Sequence, residues 1–592
     1  MKLIWLWLWL LIAVPAWPQK QPFWRPVVMG NFGMVAAEHP LQALAGLHAL
    51  EAGGNAIDAA VAVFYTTTVV EQHQAGIGGD AFILAYIAKE KRVVFINGTG
   101  PAAKLATPEF YRKRGGIPAI GPLSSTVPGA VGGFALAHQL YGSLPHAQLL
   151  RDAIALAEDG HPLSHWSASS YREGHPRISR FPSSVRALTN QGRPFEAGQI
   201  HIQPDLARTL KTIAADGPGS FYRGSLSQLT ADFYEKEQGL IRREDLAVYR
   251  AEQSEPVRTV YKDFEVFQSA PNSQGIVLLI ALNIVEGLDL RSMGHNSTDY
   301  VHAVTEAIKL AFADRDRYIA DPRFVKDIPI EQLLSKSYAA KRRELIRMDR
   351  AIRGAAPPGD PRGGKPVLDP YRITYEDRRP APAAAPTRAG QGETSSFSIA
   401  DRFGNLVSVT HSVNQTFGSA IVVEGGGYVL NNRMPYFGLD DRDVNVLAPG
   451  KRPRHTINPA LALRGGKPFL AWNTPGGDNQ PQAMLQAFLN VVEFGMNVQQ
   501  AVEAPTVTSS SFQGSMYPHT VAGLLTIPKL LADRIVAELL VKGHKVDVAD
   551  LQQPYGQQPS GAGAVKMVLI DPATGVIHGG ASPAKDNYVM GR

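Results

Sequence analysis

The sequence predicts a mixed α+β fold in which sheet and helix layers pack together. Three observations point there. Segments with helical apolar spacing dominate the first half of the 592-residue chain. A Pro-, Ala-, Gly- and Arg-rich stretch at 354–393 then interrupts it. Beyond that stretch, strand-like alternation and helical spacing take turns to the C-terminus.

In order, the N-terminus opens with Met1-Lys2 and an apolar run to Ala16, ending in Val14-Pro15-Ala16. The run is shorter than the roughly 20 residues a bilayer span needs. It reads as a secretory signal peptide over 1–16, with a retained anchor as the alternative. No later stretch is apolar enough for a stable membrane span, so the expected location is secreted or periplasmic. Order begins near Gly33. Residues 40–70 read as two helices separated by Gly53-Gly54-Asn55, the second rich in small residues and of buried type. Residues 81–86 and 92–96 read as a strand pair around a Lys-Glu-Lys turn. From 128 to 325 the pattern is mainly helical, as at 133–141, 147–159 and 299–319. The stretch 354–393 reads as an exposed linker. After it, 396–400 and 406–413 are strands around the turn 401–405. Further strands are expected at 428–430, 460–463, 469–472 and 565–570, and helices at 482–494 and 528–542. The organisation is therefore a helix-rich portion (27–353), the linker, and a second portion (394–592).

Composition narrows the function. The chain is 44% hydrophobic and 19% charged, ordinary for a globular protein of several domain-sized pieces. Net charge is +6 with no long basic stripe, which argues against nucleic-acid binding. With no cysteine, a thiolate metal site, a disulfide framework and a cysteine nucleophile are excluded. There is no His-Glu-x-x-His pair and no Gly-x-Ser-x-Gly elbow, and nothing calls for a cofactor or metal. His411 reads as a structural histidine, and residues 313–317 as a salt-bridged helix surface.

Two patterns bear on catalysis. The linker stops at Thr394, which begins a strand. If the bond between Glu393 and Thr394 were cut, one residue would carry both a hydroxyl and an α-amine of pKa about 7.7–8.0. That pairing activates a hydroxyl without a histidine. By spacing alone, Thr394 reads first as an ordinary strand residue after a loop. Gly476-Gly477 follows an apolar strand and could let backbone N–H groups hold an oxyanion, although such turns are common.

Together the motifs resemble the γ-glutamyltransferase family over nearly the whole chain after the signal segment. They include Gly33-Met-Val-Ala-Ala37, the run Gly53 to Ala62, Ala75-Gly-Ile-Gly-Gly79, Thr126 to Phe134, Gly239 to Leu246 and Ala313-Asp-Arg315. In the second portion come Thr394-Ser-Ser-Phe-Ser398, Asp401 to Asn405, Asn431-Asn432, Lys451-Arg-Pro453 and Pro475-Gly-Gly477. The resemblance implies a four-layer αββα sandwich of the N-terminal-nucleophile hydrolase type, formed by two associated subunits cut from one precursor. It makes Thr394 the nucleophile and Gly476 and Gly477 the oxyanion hole. Ser412 would support the nucleophile and Asn414 position the substrate. The implied partners are a small amide or peptide, and water or an amine as acceptor. The implied activity is hydrolysis or transfer of γ-glutamyl groups, as from glutathione.

The glutamate-recognition positions depart from the family. Asn97 stands where an Arg would meet the substrate α-carboxylate, Tyr436 where an acid would meet its α-ammonium, and His455-Thr456 where two serines would hold the carboxylate. Arg433 and His455 are expected to bring positive or potentially positive groups to the pocket instead. The same fold could therefore serve oxamate, glutaryl or cephalosporin amides, or an unprocessed binding homologue.

Overall fold

The computed structural model describes residues 25–365, 368–369, 393–550 and 563–592. The signal segment and most of the linker lie outside these residues. Two seven-stranded antiparallel sheets form the centre. In one, the strands run in the order Val28–Gly30, Ile577–Ala581, Lys566–Ile570, Lys467–Asn473, Ala460–Arg464, Phe264–Gln268 and Val257–Tyr261. In the other the order is Tyr588–Gly591, Gly33–Ala37, Glu393–Asp401, Leu406–Asn414, Asp80–Ile87, Arg92–Gly98 and Glu252–Ser254.

The sheets face each other through an apolar layer that includes Phe82, Leu84, Leu461, Ala471 and Val568. The helices Pro40–Glu51, Ala56–Val70 and Ala130–Tyr141 cover the outer face of the second sheet. Ile276–Val285, Gln480–Val492 and Val498–Glu503 cover the first. This is the expected four-layer αββα sandwich. Every residue of Ala56–Val70 is buried, as its small-residue composition implies. Asn55 caps this helix through the Ile57 and Asp58 amides, and Asp58 returns a bond to the Asn55 amide.

Several expectations are corrected. Residues 428–430 form no strand, only an isolated bridge between Val422 and Val429. The helical reading of 128–325 missed Glu252–Ser254, Val257–Tyr261 and Phe264–Gln268. These strands are short, and only pairing across the sheet reveals them. The linker's start is not exposed. Ala356, Pro357 and Gly359 are buried, the Gly359 amide donates to Asp314 Oδ1 at 2.8 Å, and Arg342 Nη2 donates to the Pro357 carbonyl at 2.9 Å. Residues 313–317 are salt-bridged through Arg315 and Asp316, and Arg317 is exposed, but Asp314 and Arg315 are fully buried, so the segment is only partly a surface.

The strands before and after residue 393 are interleaved. Glu393–Asp401 and Leu406–Asn414 lie mid-sheet between Gly33–Ala37 and Asp80–Ile87, with Ser398 opposite Ala36 and Ser408 opposite Leu84. Neither portion could bury its sheet edges alone.

Candidate active site

Pairing of the two central strands is regular from Ser395 to Ala400 and slips beside Thr394. Glu393 faces Asn414 and Ser395 faces His411, so Ser412 and Val413 both lie opposite Thr394. The resulting bulge takes Thr394 out of the ladder. Thr394 is nonetheless buried. Its Oγ1 donates to Ser412 Oγ at 3.2 Å, and Ser412 Oγ donates to the Glu393 carbonyl at 2.8 Å. The Asn414 amide donates to the same Ser412 oxygen at 2.7 Å. One donor and two acceptor sites are all a hydroxyl has, so the proton direction from Thr394 to Ser412 to Glu393 is defined. Gly79 permits this approach, because a Cβ there would stand 2.6 Å from the Ser412 carbonyl oxygen.

Asn414 adopts φ +89°, unusual for a residue with a side chain. Its side-chain Nδ2 donates to the Asn432 carbonyl at 2.8 Å. Its Oδ1 accepts from the Tyr436 hydroxyl at 2.7 Å and from Arg433 Nη1 at 3.3 Å. Tyr436 has one proton, so Thr456 Oγ1 is the donor in their 2.7 Å contact. Asn431 ties this region to the helical portion by accepting from the Thr126 amide and hydroxyl, both at 3.0 Å.

Gly476 and Gly477 turn the chain from Lys467–Asn473 into Gln480–Val492, with φ +120° and +57°. A 3-10 turn at Gly477–Asn479 leads into that helix, and the amides at the start of such a turn have no partner within it, which leaves them free for an anion. A cavity of about 180 Å³ opens beside them, lined also by Tyr436, Thr456, Phe512 and Met516.

Residues that sequence reasoning missed brace this turn. Gln274 Nε2 donates to the carbonyls of Gly477 (3.1 Å) and Thr456 (2.9 Å). Arg315 Nη1 donates to Gln274 Oε1 (2.8 Å) and Asp478 Oδ1 (2.6 Å). Arg315 lay within a quoted motif, but Gln274 gave no local signal.

The remaining expected residues are distributed differently. Arg433 is fully buried behind Asn414, with Nε 3.6 Å from Asp80 Oδ2 and Nη1 2.9 Å from the Tyr436 hydroxyl. Asn97 donates to Asn272 Oδ1 at 3.0 Å and accepts from the Thr99 hydroxyl at 2.6 Å. It is not among the residues lining the cavity. His455 is buried, and neither ring nitrogen has a hydrogen-bond partner among the described residues. Burial, then Arg433 and Arg452, holds its pKa well below the ordinary value. The imidazole is thus neutral rather than a source of positive charge. His411 is enclosed by Phe64, Phe134 and Phe397.

Possible metal donors cluster at His302, Glu306 and His544. They already serve one another and the fold. His302 and His544 share a 2.8 Å hydrogen bond, and Glu306 accepts from Lys309 (2.7 Å) and the Ile352 amide (2.8 Å).

Known proteins share this design. The family model described as Gamma-glutamyltranspeptidase matches residues 43–592. A "Glutathione hydrolase-like YwrD proenzyme" of Bacillus subtilis (strain 168) is 32% identical over 565 residues, covering 95% of this chain and 99% of the relative. An "Acylase ACY 1 proenzyme" of Pseudomonas sp. (strain SE83) is 34% identical over 531 residues, covering 87% and 88%. The crystal structure of cephalosporin acylase from Bacillus halodurans superposes with TM-score 0.85 at 33% identity, covering 98% of this chain and 99% of that one. A likeness of this extent, in sequence and in fold together, makes the chain a member of the gamma-glutamyltranspeptidase family of N-terminal nucleophile hydrolases.

Proposed function

We propose that the chain cuts itself between Glu393 and Thr394, and that the resulting portions, 27–353 with its linker and 394–592, stay associated as a secreted or periplasmic amidohydrolase and acyltransferase. The observation that carries this is the hydroxyl pair at that bond, with Thr394 bonded to Ser412 and Ser412 to the Glu393 carbonyl. In self-cleavage the Thr394 oxygen attacks the Glu393 carbonyl carbon while Ser412 stabilises the charge growing on the carbonyl oxygen. The C–N bond breaks, the nitrogen takes the hydroxyl proton, and water hydrolyses the ester. Glu393 then ends in a carboxylate and Thr394 begins with a free amine.

In the processed enzyme that amine takes the Thr394 hydroxyl proton. The oxygen attacks a substrate amide, and the amides of Gly476 and Gly477 hold the oxyanion. The proton passes to the departing amine, leaving an acyl ester on Thr394. Water completes hydrolysis, or a second amine completes transfer. Precursor that fails to yield a fragment beginning Thr-Ser-Ser-Phe on N-terminal sequencing, or a Thr394→Ala variant that is still cut, refutes self-cleavage.

The family's own acyl group, γ-glutamyl as in glutathione, is the first reading of the substrate. A second, an acyl group without the α-ammonium such as glutaryl, oxamyl or a cephalosporin side chain, is favoured by the polar groups already engaged. Tyr436 is held between Asn414 and Thr456, Asn97 between Asn272 and Thr99, and Asp478, which lines the cavity, is paired with Arg315. The discriminating measurement is kcat/KM for γ-glutamyl and glutaryl anilides. A strong preference for the first compound rejects the second reading, and the reverse preference rejects the first.

A further inference from the structure

A buried ionic cluster lies beside the bond before Thr394, and no step above uses it. The Lys585 ammonium donates to Glu393 Oε2 at 2.8 Å and to Gln74 Oε1 at 2.7 Å, and forms an ion pair with Glu38 Oε1 at 2.9 Å. Two hydrogen bonds and a second carboxylate at ion-pair distance leave the ammonium little room to move. Burial pulls its pKa down, but Glu38 and Glu393 more than compensate and raise it above the ordinary value, so it stays charged.

Glu38 extends the grip. Its Oε2 accepts from Lys566 Nζ at 2.9 Å and from the Ser396 amide at 3.2 Å. Ser395 Oγ donates to Glu71 Oε2 at 3.2 Å. The strand is therefore held before Thr394 by the Glu393 side chain, and after it by the Ser395 side chain and the Ser396 backbone. Between these holds lies the bulge, where the sheet ladder itself does not fix Thr394. The other end of Glu393, its carbonyl, is the group bonded to Ser412.

We infer that Lys585, braced by Glu38, is a positioning residue for self-cleavage: it anchors the Glu393 side chain so that the Glu393 carbonyl stays seated against Ser412 and within reach of Thr394. The inference rests on the self-cleavage reading. It works through placement, since displacement of about 1 Å at reacting atoms can cost 10²-fold in rate. Lys585 touches no reacting atom.

The test is a pulse–chase of full-length precursor made by in vitro translation, followed on denaturing gels. Wild type is compared with Lys585→Met, Lys585→Arg and Glu393→Ala. Lys585→Met and Glu393→Ala should each lengthen the precursor half-life at least tenfold, while Lys585→Arg stays within about threefold of wild type. The Lys585→Met/Glu393→Ala double variant should be no slower than the slower single variant, because both remove one anchor. Melting temperatures in the uncleavable Thr394→Ala background separate placement from folding. If Lys585→Met lowers the melting temperature strongly, Glu393→Ala decides, because it leaves Lys585 paired with Glu38 and Gln74. Wild-type processing rates in Glu393→Ala overturn the anchor and leave self-cleavage standing. An uncut wild type overturns both.

Discussion

Ser412→Ala removes one oxygen that carries three hydrogen bonds, at 3.2 Å from Thr394, 2.8 Å to the Glu393 carbonyl and 2.7 Å from the Asn414 amide. If the chain cuts itself as proposed, the carbonyl bond is the kinetic one, because it strengthens as charge moves onto that oxygen. Loss of such a donor costs about 10²–10³ in rate, or about 3 to 4 kcal/mol of barrier. The Asn414 bond is the structural one. Leaving its buried amide unsatisfied costs about 1–3 kcal/mol of stability. The two effects separate experimentally. Precursor half-life on a denaturing gel should rise by two to three orders of magnitude by the first estimate. Urea unfolding of the Thr394→Ala background with and without Ser412→Ala reports the second. Ser412→Thr restores the hydroxyl and should recover most of the processing rate. Processing of Ser412→Ala within about threefold of wild type, in folded protein, refutes the role assigned to Ser412, since the predicted loss is at least 10²-fold.

Two further outcomes concern pH. If the Thr394 amine is the base, kcat/KM of processed enzyme should rise with pH through an apparent pKa near or below about 8, and a flat profile under rate-limiting chemistry contradicts it. His411 is buried, and burial lowers its pKa to about 3. Between that value and about 6.5 the unfolded chain holds a proton the folded chain does not, so stability falls as pH falls, by about 1.4 kcal/mol per pH unit. His411→Phe should lessen the stability loss from pH 6.5 to 5 by that slope in urea unfolding, and an unchanged slope would show that His411 is protonated in the fold.

Much of the site could be read locally. The end of the linker at Thr394, the strand–turn–strand that follows and the glycine pair after an apolar strand are all features of neighbouring residues. Period, turn chemistry and composition report such features directly. Their order along the chain carried the family resemblance, and with it the four-layer sandwich.

Which polar groups meet in the interior was decided only by the tertiary structure. Arg433 has the composition of a surface residue but is enclosed beside Asp80, and His455 is buried without a hydrogen-bond partner among the described residues. Arg315 sits in a run of alternating charge that reads as solvated, yet it braces the glycine turn through Gln274 and Asp478. Lys585 reaches Glu393 across 192 positions of sequence. The physical reason is common to all four. Periodicity tells which face of an element is apolar, because burying that face depends on local spacing. The partner of a buried charge depends on how distant strands stack, and no local pattern encodes that contact.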